Sequence, residues 1–424
     1  MKYRWLVLFG VLATVVAVGW VPIAGQAPRT AASTAAPTYT PPKTAWGDPD
    51  LQGLWRSLHR VDFERSPKYA GREFLTDAEV AELERRAEAQ NADRLAGKLE
   101  NRGFRSQPNY NSIVGYSADR ARYSKRTSAI IDPPDGHLPP WTLEQVALYE
   151  QREEWTVGRG EADSWVDRPP GERCIEVLDF VAPGYWGMSL SGQTGFLSSV
   201  RAVAEKGGSG GGLGGGGSAA IARPEALNGG EEFTNAGSAG GPARFVQAPG
   251  YVAITREDGN DYSIIPLDGH PHLSAKFRQW KGDVRGHWEG NTLVVETTNL
   301  KFPYPIIMTY GNNQYPGDAL TLRITQRYTR TGPDTIEYKY TVEDPKVYVR
   351  PYTVLYELTR DDNYKVTAPI CHEGHDDMPS ALASGRVDEE TALENANDSK
   401  ASRAPRLQQL KEEAIKAAEQ MKKR

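Results

Sequence analysis

Residues 320–344, LTLRITQRYTRTGPDTIEYKYTVED, decide the fold. Leu320, Leu322 and Ile324 alternate with polar neighbours, Gly332-Pro333-Asp334 breaks the run, and Ile336, Tyr338 and Tyr340 alternate again. Apolar side chains at every second position put one strand face in a core, and a Gly-Pro-Asp break between two such runs signals a hairpin. Outward from this pair the same grammar recurs at 245–256, 262–267, 292–298, 352–359 and 364–370. Turns are expected at Asp258-Gly259, Glu289-Gly290-Asn291 and Asp361-Asp362-Asn363. Regularly spaced short strands predict a mainly β protein with peripheral helices, its C-terminal half an antiparallel β-barrel or a sandwich.

The first half of the chain is different. WGDPDLQGLWRSLHR (46–60) reads as a turn and a first strand, with Leu51, Gly53 and Trp55 on one face. Thr76 and Glu79 form a capping box, with Leu75 and Val80 at the staple positions, and predict a helix toward Arg94. Thr127 to Ile131 reads as a short strand before DPPDGHLPP (132–140), where four Pro and one Gly force turns. Trp141-Thr142 and Gln145-Val146 repeat the cap signals and open a second helix to about Trp155. In the tail, Leu407, Leu410, Ala414, Ala417 and Met421 recur every three or four residues, as in a helix docking on a core or a partner.

Composition bounds the function. Of 424 residues, 39% are hydrophobic and 25% charged, and the formal charge of −5 removes a nucleic-acid binder that works by neutralising phosphates. Met1-Lys2-Tyr3-Arg4, the uncharged run Trp5 to Val21 and the small residues that follow read as a signal peptide over 1–27. An uncleaved anchor is the other reading of that run. After cleavage no membrane contact is expected, and the protein would be secreted or periplasmic. Residues 28–45 read as a disordered tether, 46–186 as a strand, helix and loop wrapping segment, and 187–243 as a surface insertion. That insertion has nine Gly between 207 and 217 and lacks the Gly-Lys-Ser/Thr ending of a phosphate loop. A β domain over 244–385 and a helical tail over 386–424 complete the organisation. Cys174 and Cys371 lie 197 residues apart; in an oxidising compartment they read as one disulfide, with a buried free pair as the alternative.

Several strings are long enough to carry a resemblance. They are PDLQGLW (49–55), SAIIDPPDGHLPP (128–140), GERC (171–174), IIPLDGHPHL (264–273), RQWKGDVRGHWEGNTLVVETTN (278–299), TVEDPKVYVRPYTV (341–354) and CHEGHDDM (371–378). Together they make the chain similar to a family of secreted proteins abundant in acidobacteria and other environmental bacteria. The resemblance implies a fold and an export route and brings no mechanism with it. The chain departs from the family's pattern in the Gly-rich insertion after GERC, in His270 where the pattern has Arg, and in Gly374-His375-Asp376 where it has Gly-Asn-Tyr. More weakly, Gly53-Leu54-Trp55 on the first strand resembles the Gly-x-Trp of calycin barrels such as lipocalins.

Five of seven histidines fall between 270 and 375: His270, His272, His287, His372 and His375. His270 and His272 could pair on a strand face, with His372 and Glu373 completing a metal site, but Pro271 and Gly374 oppose the regular geometry that this needs. A metal-free hydrolytic site would use His272, Asp283, Glu289, His372 and Glu373, with His372 as base and Glu373 or Glu289 as acid or orienting group. Trp280, Arg285 and Trp288 are the candidate ligand contacts. The plainer reading makes the tryptophans core and Arg278, Asp283 and Arg285 a structural ion-pair set, with Arg350 paired to Asp344. The expectation is a protein that binds or processes a small, sugar-like or aromatic ligand or glycan in a barrel pocket. The alternatives are a non-enzymatic structural or interaction module of the cell envelope, and a metal-dependent hydrolase or lyase using the C-terminal His/Glu cluster. The sequence leaves the identity of any cofactor open.

Overall fold

A computed structural model describes residues 39–95, 122–156, 236–237, 243–256, 261–279, 281–301, 320–365 and 389–423. The chain divides into Met1–Tyr39 and Thr40–Arg424, and all the structure below belongs to the second unit. The signal segment, the Gly-rich run, Cys174, Cys371, His372 and Glu373 lie outside the described residues.

The elements in chain order are β1 (Gly53–Arg56), β2 (His59–Asp62), α1 (Asp77–Leu95), β3 (Arg122–Tyr123), β4 (Ile130–Asp132), α2 (Leu143–Thr156) and β5 (Ala236–Gly237). They continue with β6 (Ala243–Ala248), β7 (Tyr251–Arg256), β8 (Asp261–Pro266), β9 (Asp283–Glu289), β10 (Thr292–Thr298), β11 (Arg323–Gly332), β12 (Thr335–Glu343), β13 (Tyr352–Arg360) and α3 (Glu389–Lys422). The hairpin within 320–344 is β11–β12, with Tyr328 opposite Tyr338 and Ile324 opposite Val342.

Nine strands form one antiparallel sheet in the order β8-β7-β6-β1-β13-β12-β11-β10-β9, nearly closed into a barrel, and β4 adds to β13. Eight antiparallel pairings in succession leave the two terminal strands, β8 and β9, running the same way. Side chains meet across that seam. A Cβ on Gly286 of β9 would lie 2.5 Å from Ile265 Cγ2 and 2.9 Å from Leu267 Cδ2, so only the bare glycine admits this approach.

The expected single strand at 245–256 is two strands, because Pro249-Gly250 turns the chain between them. The strand β9 was not expected. Its inward residues are Val284, Gly286 and Trp288, and a glycine amid charged neighbours masks the alternation. The strand expected at 364–370 is not seen as far as it can be followed: β13 ends at Arg360, 361–365 turn, and 366–370 lie outside the described residues.

Inside the barrel, alternation along β11, β12 and β13 buries Ile324, Tyr328, Ile336, Tyr338, Tyr340, Val354 and Tyr356. The Tyr328 and Tyr338 rings stack with centroids 4.6 Å apart, and Phe245 meets Tyr328 edge-on at 5.2 Å. Such pairs contribute about 0.5–1.5 kcal/mol beyond their burial. Gln326 Nε2 donates to the Tyr338 hydroxyl at 2.8 Å. Burial pushes the Tyr340 and Tyr356 hydroxyls well above the usual phenol range, so both stay protonated. The first strand is anchored by its own motif: Trp55 Nε1 donates to the Leu51 carbonyl, the Leu51 amide donates to Gln247 Oε1, and Gln247 Nε2 donates to the Pro49 carbonyl.

The helices follow their sequence signals. The Thr76 amide donates to Glu79 Oε2 at 2.8 Å and the Glu79 amide to Thr76 Oγ1 at 3.3 Å, the reciprocal capping box. Thr142 Oγ1 accepts from the Gln145 amide at the start of α2. The seam of α3 docks on the core: Leu410 and Ala414 join the buried cluster that contains Trp141, Val146 and Tyr149, and Lys411 pairs with Glu150 at 2.6 Å. Among the described residues no helix is long and apolar enough to cross a membrane.

Candidate functional site

Paired residues on neighbouring strands share a face. The register therefore separates β9 into an inner set, Val284, Gly286 and Trp288, and an outer set, Asp283, Arg285, His287 and Glu289. Glu296 of β10 lies opposite Arg285, and Thr325 of β11 lies opposite Glu296, so the charges of β9 and β10, with Arg323 and Arg327 of β11, collect outside the barrel.

The chain between β8 and β9 lies against this outer face and brings His272 to it. His272 Nδ1 is 2.8 Å from Asp283 Oδ2, which also accepts the Leu273 amide at 2.8 Å. Asp283 Oδ1 lies 3.4 Å from Arg285 Nε, and Arg285 reaches Asp268 at 3.5 Å. On the other side His272 Nε2 is 3.7 Å from Glu296 Oε2, and Glu296 Oε1 accepts from Arg323 at 2.5 Å. The result is a ladder in which acidic and basic residue types alternate, Asp268–Arg285–Asp283–His272–Glu296–Arg323. With Asp283 Oδ2 already accepting from a backbone amide and Oδ1 beside a guanidinium, the hydrogen-bond network assigns His272 Nδ1 as the donor.

Local sequence holds the loop in place. Asn299, at φ 56°, donates through Nδ2 to the Leu273 and Ser274 carbonyls at 2.8 and 3.3 Å. Gly282 has φ 75°, and a Cβ there would stand 2.5 Å from the Thr298 carbonyl oxygen, so this turn requires glycine. Arg278 caps the Leu300 and Leu320 carbonyls. The strings around 264–273 and 278–299 thus build one fastened loop.

Of the candidates, His272, Asp283 and Arg285 come together. Glu289 does not join them: six residues along the same strand, about 20 Å away, it accepts from Arg327 and lies 3.2 Å from His287 Nε2. Arg327 and His287 hold its carboxyl below the usual range, with His287 the larger influence. Trp288 points inward and packs against the core. Trp280, His372, Glu373 and the Cys174–Cys371 pair lie outside the described residues. Among the described residues no group of three or more His, Cys, Asp or Glu is arranged to hold a metal ion. Arg350 pairs with Asp132 at 2.6 Å, not with Asp344, which accepts from Thr321 Oγ1 and the Lys346 amide.

Glu296, Asp268 and Arg323 were missed by sequence reasoning. A lone carboxylate inside the apolar run TLVVETT was the available signal for Glu296. Also missed is an outer apolar face on β6 to β8, where Val246, Ala253 and Ile264 form one cross-strand row. Tyr251 and Tyr262 flank it, Tyr262 being 63% exposed. Lys281 Nζ sits 5.7 Å from the Tyr262 ring centre, which joins this face to the charged ladder across the seam. Phe277, 64% exposed, stands on the fastened loop. Against protein-family models, curated proteins and solved structures, the chain has no match.

Proposed function

We propose that this is an exported recognition protein that binds a sugar-like or aromatic ligand on the outer face of the barrel, at Tyr251, Tyr262 and the adjoining ladder. The observation that carries the reading is the division of aromatic residues. The interior holds fully buried tyrosines packed on one another, while Tyr251, Tyr262 and Ile264 stand in solvent beside fixed charges. Exposed apolar groups clustered next to polar ones are the composition of a binding surface. Flat rings stack on a sugar or aromatic face, and Asp268, Arg285 and Glu296 offer hydrogen bonds around them. Export is supported by the basic, then apolar, N-terminus and by the resemblance to a secreted family.

A glycan and aromatic-acid screen with the purified full chain, followed by titration calorimetry on any ligand found, tests this. Tyr262→Ala and Tyr251→Ala are expected to weaken binding about three- to tenfold each. A ligand whose affinity ignores both substitutions overturns the outer-face reading. The same apolar row favours a second reading, an interaction module of the cell envelope. In that case the screen is blank, and Ile264→Lys abolishes association with an envelope protein.

A further inference from the structure

We propose that His272 is a proton-operated clasp that fastens the β8–β9 loop to the outer face of the sheet. Nδ1 is committed to Asp283, as the donor to its Oδ2. In the neutral ring Nε2 then carries only a lone pair. That atom is buried, has no hydrogen-bond partner, and faces the Glu296 carboxylate at 3.7 Å. A lone pair opposed to an anion away from water repels. A proton on Nε2 turns the same contact into an imidazolium held between two carboxylates.

The surroundings support a switch confined to this contact. From β9, Asp283 meets the ring, and Arg285 beside it is shared between Asp283 and Asp268 of the loop. From β10 comes Glu296. From β11 comes Arg323, which takes the other oxygen of Glu296 and leaves Oε2 toward the histidine. Glu343 of β12 lies opposite Arg323 in the register and balances it. Lys276 and His270 belong to the loop itself and are exposed. The Leu273 amide bond to Asp283 and the Asn299 bonds remain in both states. Losing the proton therefore loosens the loop without releasing it. The loop carries Phe277 and Leu273, so in the recognition reading above, on which this functional consequence rests, acid orders part of the ligand face.

Amide hydrogen exchange on the full chain without ligand, at about pH 5 and about pH 8 and corrected for the chemical exchange rate, tests the clasp. Protection over 270–277 is expected to fall about tenfold at the higher pH, while β12 and β13 amides keep theirs. Glu296→Gln is expected to remove most of that pH dependence, and His272→Asn all of it. Equal protection at both pH values in the unsubstituted chain overturns the proposal, as does a Glu296→Gln protein with undiminished pH dependence. Since no ligand is present, failure of the recognition reading leaves this result intact. A flat exchange profile beside an unaltered ligand affinity sinks the clasp alone.

Discussion

Ile265 fills the space that a side chain on Gly286 would need, its Cγ2 standing 2.5 Å from where the Cβ would be. The contact spans the seam between β8 and β9, where no hairpin can close the sheet because the two strands run the same way. Gly286→Ala is expected to destabilise the protein by about 1–3 kcal/mol, read as a lower urea midpoint. Ile265→Ala carries its own cost, since the side chain is fully buried, but the two substitutions together should cost less than the sum of their separate effects, a favourable coupling in the double-mutant cycle. Strictly additive effects would mean the seam does not depend on this pair.

Asp62 is 6% exposed, and burial raises its carboxyl from 3.8 to about 7. The folded chain therefore holds a proton that the unfolded chain releases between about pH 4 and 7, and stability from this group falls as pH rises through that window. Asp62→Asn should match the wild type near pH 4 and exceed it near pH 8 by up to about 4 kcal/mol. Denaturant curves at the two pH values decide it. An unchanged difference between the two proteins across that range removes the argument.

The docking of α3 rests on burial rather than on charge. Ala414 is 1% exposed in the Trp141, Val146 and Tyr149 cluster, so Ala414→Asp should cost about 3 kcal/mol or more. Lys411→Ala removes a solvent-screened pair with Glu150 and should cost less than about 1 kcal/mol. Thermal melts of the two variants would rank them, and a larger effect from Lys411 would reverse this account.

If the chain is exported, as proposed above, Cys174 and Cys371 are expected to form one intramolecular disulfide. Non-reducing peptide mapping should find the two joined. Reduction should lower the melting temperature, since a loop of that length contributes at most roughly 5 kcal/mol. Recovery of both cysteines as alkylated thiols from non-reduced protein would sink the pairing.

The sequence made some parts of this structure legible and hid others for physical reasons. The β11–β12 hairpin was readable because Tyr328, Tyr338 and Tyr340 alternate with polar neighbours and the turn is local. The capping box at Thr76 was readable for the same reason. Strand β9 was not, since Gly286 answers to a contact with Ile265 twenty-one residues earlier, a relationship no local pattern encodes. His272 and Asp283 stood out by residue type. Their partner Glu296 became visible only through the register of β9 on β10, which decides that Glu296 and Arg285 face the same way. Nor could the chain alone distinguish Tyr262, turned outward, from Tyr338, turned inward. That choice depends on which strand face meets the core, and both tyrosines sit in equally plausible strands.

The position of β1 also constrains how the molecule can be made. Its neighbours are β6, whose Phe245 pairs with Gly53, and β13, whose Arg360 pairs with Trp55. The strand emerges early in synthesis, yet both of its partners come much later, the second within the last fifth of the chain. Loop closure over such distances makes the final assembly slow. Until β13 is available one edge of β1 stays open, so a chain still on the ribosome cannot complete the sheet. Delayed closure of this kind leaves an unpaired strand edge on the growing chain for most of its synthesis.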